Sequence, residues 1–205
     1  MNQRLDLYEA DREQLLGALS RRHIRCRVPA RLVHEAILEC GWSIQRLSGM
    51  RSALLGLCCA EERAIQIPTD FRQRLRVPAT ARLVYHETLA HELAHIRLHA
   101  QTMLMQRRKD SAWENEADVY ARVFLVPRAQ LLGKPAMQRL LDAQSQQELW
   151  RNILCLAQEF CVTGWFLSSA LELYGFIRMQ KKRRLVEVLP VAHELVGRFV
   201  LAWSA

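Results

Sequence analysis

Apolar positions recur along this chain with two periods, and the change between them marks out the elements. Residues 5 to about 20 carry Leu5, Tyr8, Leu15, Leu16 and Leu19 at broadly helical spacing, which predicts an exposed leading helix. A second helix opens at Pro29, whose missing N–H suits a first turn, and ends before Gly41, with Leu32, Ala36, Ile37 and Cys40 facing inward. The pattern then shortens. Residues 42–47, 53–59 and 64–68 read as three consecutive strands separated by turns, which predicts a small, largely antiparallel sheet. A charged connection, residues 69–77, is a candidate flap, with a plain surface loop as the commoner alternative.

Helical spacing returns after the Val77-Pro78 break. Thr80 can cap a helix over residues 80–100 whose apolar stripe is Leu89, Leu93, Ile96 and Ala100. A connection over residues 101–110 joins it to another helical stretch that ends at Pro127. Beyond Pro127 the pattern stays largely helical to about residue 174. Residues 148–160, 161–164 and 165–174 have the outline of a helix-turn-helix. Its second helix begins Trp165-Phe166-Leu167-Ser168-Ser169-Ala170-Leu171, and that apolar weight favours packing or protein docking over groove reading. After residue 180 come a basic cluster and an amphipathic helix following Pro190 (Val191, Leu195, Val196, Phe199, Val200), with Trp203 near its end.

Composition sets outer limits. A chain of 205 residues, half of them hydrophobic, buries a real core and suits one compact domain or one domain with a small appendage. The polar start and the lack of any long apolar run lead us to expect a cytoplasmic protein with no membrane partner. Six cysteines (Cys26, Cys40, Cys58, Cys59, Cys155, Cys161) show no zinc-ribbon spacing and are expected as reduced thiols. The adjacent Cys58 and Cys59 admit a redox reading, but a strand context without a neighbouring basic residue favours packing. A formal charge of +8 is concentrated in residues 21–27, in Arg107-Arg108-Lys109 and in Lys181-Lys182-Arg183-Arg184. Such runs attract nucleic acid or an acidic protein surface, although solvated surface is their commoner role.

Candidate chemistry enters with His91-Glu92-Leu93-Ala94-His95. One turn, about 6 Å of rise, separates the two histidines, so both imidazoles leave one helix face and can share a metal ion. Glu92, beside the pair, is placed to act as general base on a metal-activated water. A catalytic zinc site of this kind needs a third protein ligand and one open position. Glu114 and Asp118 are spaced to share a face of the next helix, and Ala117 beside them permits close approach. Glu114 is therefore the expected third ligand, and Asp118 the acceptor that orients a ligand histidine. Glu116 points roughly away; it is the runner-up ligand, or else a solvated charge.

Thr88-Leu89-Ala90-His91-Glu92-Leu93-Ala94-His95, continued by Ile96-Arg97-Leu98-His99, resembles the signature of the ImmA/IrrE family of zinc metallopeptidases. Glu114-Asn115-Glu116-Ala117-Asp118-Val119-Tyr120-Ala121, closing with Phe124-Leu125-Val126-Pro127, is similar to that family's second helix. Ala94 stands where the family often has Gly, and Tyr120 where Phe is common. The resemblance spans roughly residues 30–177 and is strongest over 88–127.

Together with the residue patterns above, it leads us to expect an α+β chain: a leading helix (1–28), a zincin-like core (29–133) with its small, largely antiparallel sheet against the HExxH helix, a helix-turn-helix-like region (134–178) and a basic tail (179–205). It also implies a zinc endopeptidase whose substrate is a transcriptional repressor, itself typically a helix-turn-helix protein, cleaved in a stress-response or mobile-element switch. Zinc would be held by His91, His95 and Glu114. An oxyanion donor is expected on physical grounds, with Tyr85, His86 and His99 as candidates. His99 also admits readings as a fourth ligand or as helix-end packing. An edge strand beside the cleft would suit an extended substrate. The competing reading is a DNA-binding regulator whose metal site is structural or vestigial.

Overall fold

The computed structural model describes residues 2–19, 28–105, 111–180 and 185–203. The basic runs at 21–27, 107–109 and 181–184, and Cys26, lie outside the described residues, as do the side chains of Phe199, Val200 and Trp203. Two compact units emerge, one of residues 2–19 and 28–125, the other of residues 126–203.

In chain order the first unit comprises α1 (Asn2–Leu19), α2 (Ala30–Glu39), β1 (Ser43–Leu47), β2 (Leu57–Cys59), β3 (Ala64–Pro68), α3 (Ala81–Met105) and α4 (Ser111–Leu125). Its first helix departs from expectation. Leu5, Tyr8, Leu15 and Leu16 are buried and so is Arg12, because α1 packs on α2 and α4 rather than standing exposed. Arg12 donates from Nε to the Phe124 carbonyl at 2.8 Å, satisfying one of the orphan acceptors at the end of α4. Asp11 accepts from both Arg97 of α3 and the Tyr120 hydroxyl of α4, so a single carboxylate ties three helices together. The Tyr120 hydroxyl thus has a polar task.

Helix α2 ends in a left-handed Gly41 (φ 76°), which frees Trp42 N–H to reach the Ile37 carbonyl at 3.2 Å. Val33, Ala36 and Ile37 form its buried face, while Leu32 and Cys40 are only half-buried. The sheet has the order β1-β3-β2 and is mixed: β3 runs parallel to β1 (Ser43↔Ala64 to Leu47↔Pro68) and antiparallel to β2. That corrects the largely antiparallel sheet. Residues 48–56 carry the chain past β3 before β2 begins, a crossing that side-chain alternation does not report. Central β3 buries Ala64, Ile65 and Ile67, and β2 packs on α3.

Residues 69–77 do not form a detached flap. Phe71–Arg74 make a 3₁₀ turn from which Arg74 donates to the carbonyls of Met50, Arg51 and Leu54 at 2.6–2.9 Å. A second 3₁₀ turn, Pro78–Thr80, leads into α3, and the Thr80 hydroxyl donates back to the Val77 carbonyl instead of capping the helix.

The second unit contains α5 (Arg128–Leu132), α6 (Pro135–Leu141), α7 (Gln146–Phe160), α8 (Gly164–Leu173), β4 (Ile177–Gln180), β5 (Leu185–Val188) and α9 (Pro190–Trp203). Ser145 caps α7 by accepting from Glu148 N–H, and Thr163 caps α8 by accepting from Phe166 N–H. The two helices meet at 99°. Leu167, Ala170 and Leu171 of α8 are buried, in keeping with the packing role expected of that helix, although Trp165 is exposed. The antiparallel β4–β5 hairpin was not foreseen. Gln146 grips it by a paired amide, donating to the Val186 carbonyl at 2.7 Å and accepting from Val186 N–H at 2.8 Å.

Among the described residues Cys58 is buried, Cys155 is exposed, and none of the five cysteines is in a disulfide. No single helix among them is long and apolar enough to cross a membrane.

Candidate metal centre

Helices α3 and α4 pack against each other, and Ala117, fully buried on α4, sits between the carboxylates that α4 sends to α3. A methyl group there lets the longer side chains on its flanks reach the facing helix. From α3 come His91, His95 and His99, one turn apart on a single face. From α4 come Glu114 and Asp118 on one flank of Ala117 and Glu116 on the other.

Three donor atoms converge. His91 Nε2 lies 3.1 Å from Glu114 Oε2 and 3.2 Å from His95 Nε2, while His95 Nε2 and Glu114 Oε2 are 3.5 Å apart. Tetrahedral coordination with bonds of about 2.0–2.1 Å separates neighbouring donors by about 3.3–3.4 Å. The triangle has the size that one such ion requires, and His91, His95 and Glu114 can therefore hold a metal ion. His95 is 1% exposed, His91 22% and Glu114 43%, so the group is buried at His95 and opens to solvent at Glu114.

Each histidine has an outer partner. His91 Nδ1 is 3.0 Å from Asp118 Oδ1, and Asp118 also accepts from Arg122 at 3.0 Å. That arrangement leaves Nε2 of His91 directed into the triangle. His95 Nδ1 instead faces His99 Nδ1 at 3.3 Å, and His99 Nε2 is 2.9 Å from Glu116 Oε2. Trp113 stacks on His99 at 5.4 Å and 15°. Glu116 also pairs with Arg4 of α1.

No protein-family model matches this chain, and no curated protein matches it.

Burial pulls the His91 pKa down, but the hydrogen bond to Asp118 and the carboxylates of Glu92, Asp118 and Glu114 outweigh it and raise the value above normal. Burial likewise pushes Asp118 up, yet His91 and Arg122 bring it below the ordinary carboxylate range. A metal ion would replace the proton for which these carboxylates raise His91's affinity. Burial, assisted by the charges of Arg4 and His91 and opposed by Glu114, lowers the His99 pKa.

Glu92 is buried at 4% exposure one residue from His91, whose proton it helps to hold. Its floor is backbone. A Cβ on Gly56, just ahead of β2, would lie 2.6 Å from Glu92 Oε1 and 2.7 Å from Thr88 Cγ2, so only glycine lets the chain pass there.

The other expected site residues are placed differently. Tyr85 stacks edge-on against Phe71 at 5.6 Å and lies beneath the Arg46 guanidinium at 5.1 Å. His86 is buried and, five residues before His91, leaves the helix about 140° away from it. His99 lies outside the donor triangle and bridges His95 to Glu116. Glu116, expected to point away, is neither a ligand nor a solvated charge. The Ala117 crossing is close enough for both flanks of α4 to touch α3.

Arg4, Trp113 and Gly56 were not anticipated. The spacing of His95 with His99, and of Trp113 with Glu116, carried a partial signal, since each pair shares a helix face. Gly56 carried none, because its neighbours come from a distant helix.

Proposed function

We propose that the first unit is a zincin-like peptidase core and that this chain is a zinc-dependent endopeptidase. The observation that carries this reading is the donor triangle of His91, His95 and Glu114 with Glu92 adjacent to it. Two imidazoles and one carboxylate suit zinc, and three protein ligands leave a fourth position open. When bound, zinc supplies Lewis-acid polarisation of a carbonyl and lowers the pKa of water towards neutrality.

The chain's own groups do the rest. Glu92, in a site walled by Gly56 and Thr88, takes the proton of the attacking water and delivers it to the leaving amine as the carbon–nitrogen bond breaks. Asp118 holds His91 in the tautomer that leaves Nε2 unprotonated. Strand β2, an end strand of its sheet and packed on α3, offers its outer edge to an extended peptide. Main-chain pairing there selects an unfolded or loop segment of a protein substrate. A transcriptional repressor, as the motif resemblance implies, is the substrate class we favour.

The test is zinc content per chain, together with proteome-wide mapping of new N-termini in cells expressing the parent or Glu92→Gln. Zinc near one per chain, and N-termini that disappear with Glu92→Gln, are expected. The same cleavages in both strains would remove Glu92 as the base.

A second reading, a DNA-binding regulator, draws on one observation: α7 and α8 meet at 99° and are followed by the β4–β5 hairpin, whose strands are joined by Lys181-Lys182-Arg183-Arg184. Steep salt dependence of DNA binding, unchanged by Glu92→Gln, would favour it.

A further inference from the structure

We propose that His99 and Glu116 are positioning residues for the metal ligand His95, fixing its tautomer and ring angle through a second imidazole. The inference rests on the zinc reading above. His95 Nε2 belongs to the donor triangle, so its lone pair must be available there and its proton must sit on Nδ1. That N–H points at His99 Nδ1, 3.3 Å away, which must accept and therefore carries no proton. The proton of His99 is then on Nε2 and is donated to Glu116 Oε2 at 2.9 Å. Each hydrogen has one acceptor, and a single arrangement of protons satisfies both rings.

The chain is held at both ends. His99 is 5% exposed and stacked on Trp113, which restricts rotation of the ring, and Glu116 accepts from Arg4 of the N-terminal helix. The two ligand histidines thus differ in their support. His91 meets a carboxylate directly, whereas His95 reaches one only across His99. An outer partner of this kind keeps a ligand ring aligned with the metal and raises its basicity. Glu116 approaches the centre from the flank of Ala117 opposite Glu114. Helix α4 therefore serves the site twice, once as ligand and once as support.

The experiment measures zinc affinity of the full chain by chelator competition, alongside the melting temperature of the metal-free protein. His99→Phe keeps a ring against Trp113 but removes the acceptor, and should weaken zinc about 10–100-fold. His99→Asn puts an amide oxygen near the place of Nδ1 and should recover most of that loss. Glu116→Gln, at a partly exposed position, should weaken zinc severalfold while the metal-free melting temperature stays at the parent's value. The inference is overturned if His99→Phe folds and binds zinc as tightly as the parent, or if His99→Asn loses as much as His99→Phe. Should His99→Phe fail to fold, parent-like zinc affinity in Glu116→Gln overturns it equally. Failure of the zinc reading itself looks different, because the parent chain would then bind no zinc before any substitution is made.

Discussion

Gly56→Ala separates the proposed base from the metal ligands. The added Cβ would sit 2.6 Å from Glu92 Oε1 and 2.7 Å from Thr88 Cγ2, against an ordinary contact that starts at 3.4 Å. The carboxylate would have to withdraw by about 0.8 Å and the threonine methyl by about 0.7 Å. Thr88 resists, because its hydroxyl donates to the Val84 carbonyl at 2.8 Å and turning the side chain breaks that bond. Glu92 is the softer partner, so most of the displacement should fall on it. Misplacing a reacting group by about 1 Å costs about 10²-fold in rate, and overpacking costs about 1–3 kcal/mol of stability. Gly56→Ala should therefore cleave about 100-fold more slowly than the parent. It should bind zinc within about threefold of it, because neither Gly56 nor Glu92 belongs to the donor triangle. The assay is the initial rate on a substrate identified by N-terminal mapping, at saturating zinc, with chelator competition on the same preparations. Parent-like turnover in a folded Gly56→Ala chain would refute the argument that this glycine sets the position of Glu92.

Other expectations follow from the same contacts. Asp118→Asn removes the carboxylate acceptor of His91 and should weaken zinc about 10–100-fold in chelator competition. Burial pushes Asp11 up, but hydrogen bonds from Arg97 and Tyr120 and the charge of Arg97 bring its pKa below the ordinary 3.8. A depressed carboxylate stabilises the fold above its unfolded pKa and loses that contribution as pH falls through the folded value. Asp11→Asn should thus cost about 1–2 kcal/mol in urea unfolding at pH 7, a figure discounted for the partly exposed Arg97, with the gap closing as pH falls below the ordinary carboxylate range. Arg12→Ala should cost about 2–4 kcal/mol, because Arg12 is 1% exposed and caps α4, whereas Arg4→Ala, at 62% exposure, should cost under about 1 kcal/mol.

Local patterns were legible where the information is local. The HExxH helix, the carboxylate helix, the three strand positions and the corner between α7 and α8 could each be read from spacing, because a period of two or 3.6 belongs to one element alone. Strand order was not legible. Alternation along the strands is the same whichever of them lies in the middle, and the crossing made by residues 48–56 places β3 beside β1, to which it runs parallel. The exposed-looking α1 buries one face for a similar reason: Tyr8 and Arg12 find partners, Tyr120 and Phe124, on a helix more than a hundred residues away. The β4–β5 hairpin was hidden by short strands joined through a basic run.

By itself the sequence determined which side chains could share a metal ion: two histidines one turn apart, and a carboxylate on a second helix beside an alanine. Helical geometry dictates which side chains share a face before any tertiary contact exists. Only the folded chain decided how those faces meet. The packing of α3 on α4 around Ala117 lets both flanks of α4 reach the histidines, which turns Glu116 from an apparently solvated charge into a partner of His99. The reach of a side chain across an interface depends on the distance between backbones, and that distance is a property of the packed pair rather than of either helix alone.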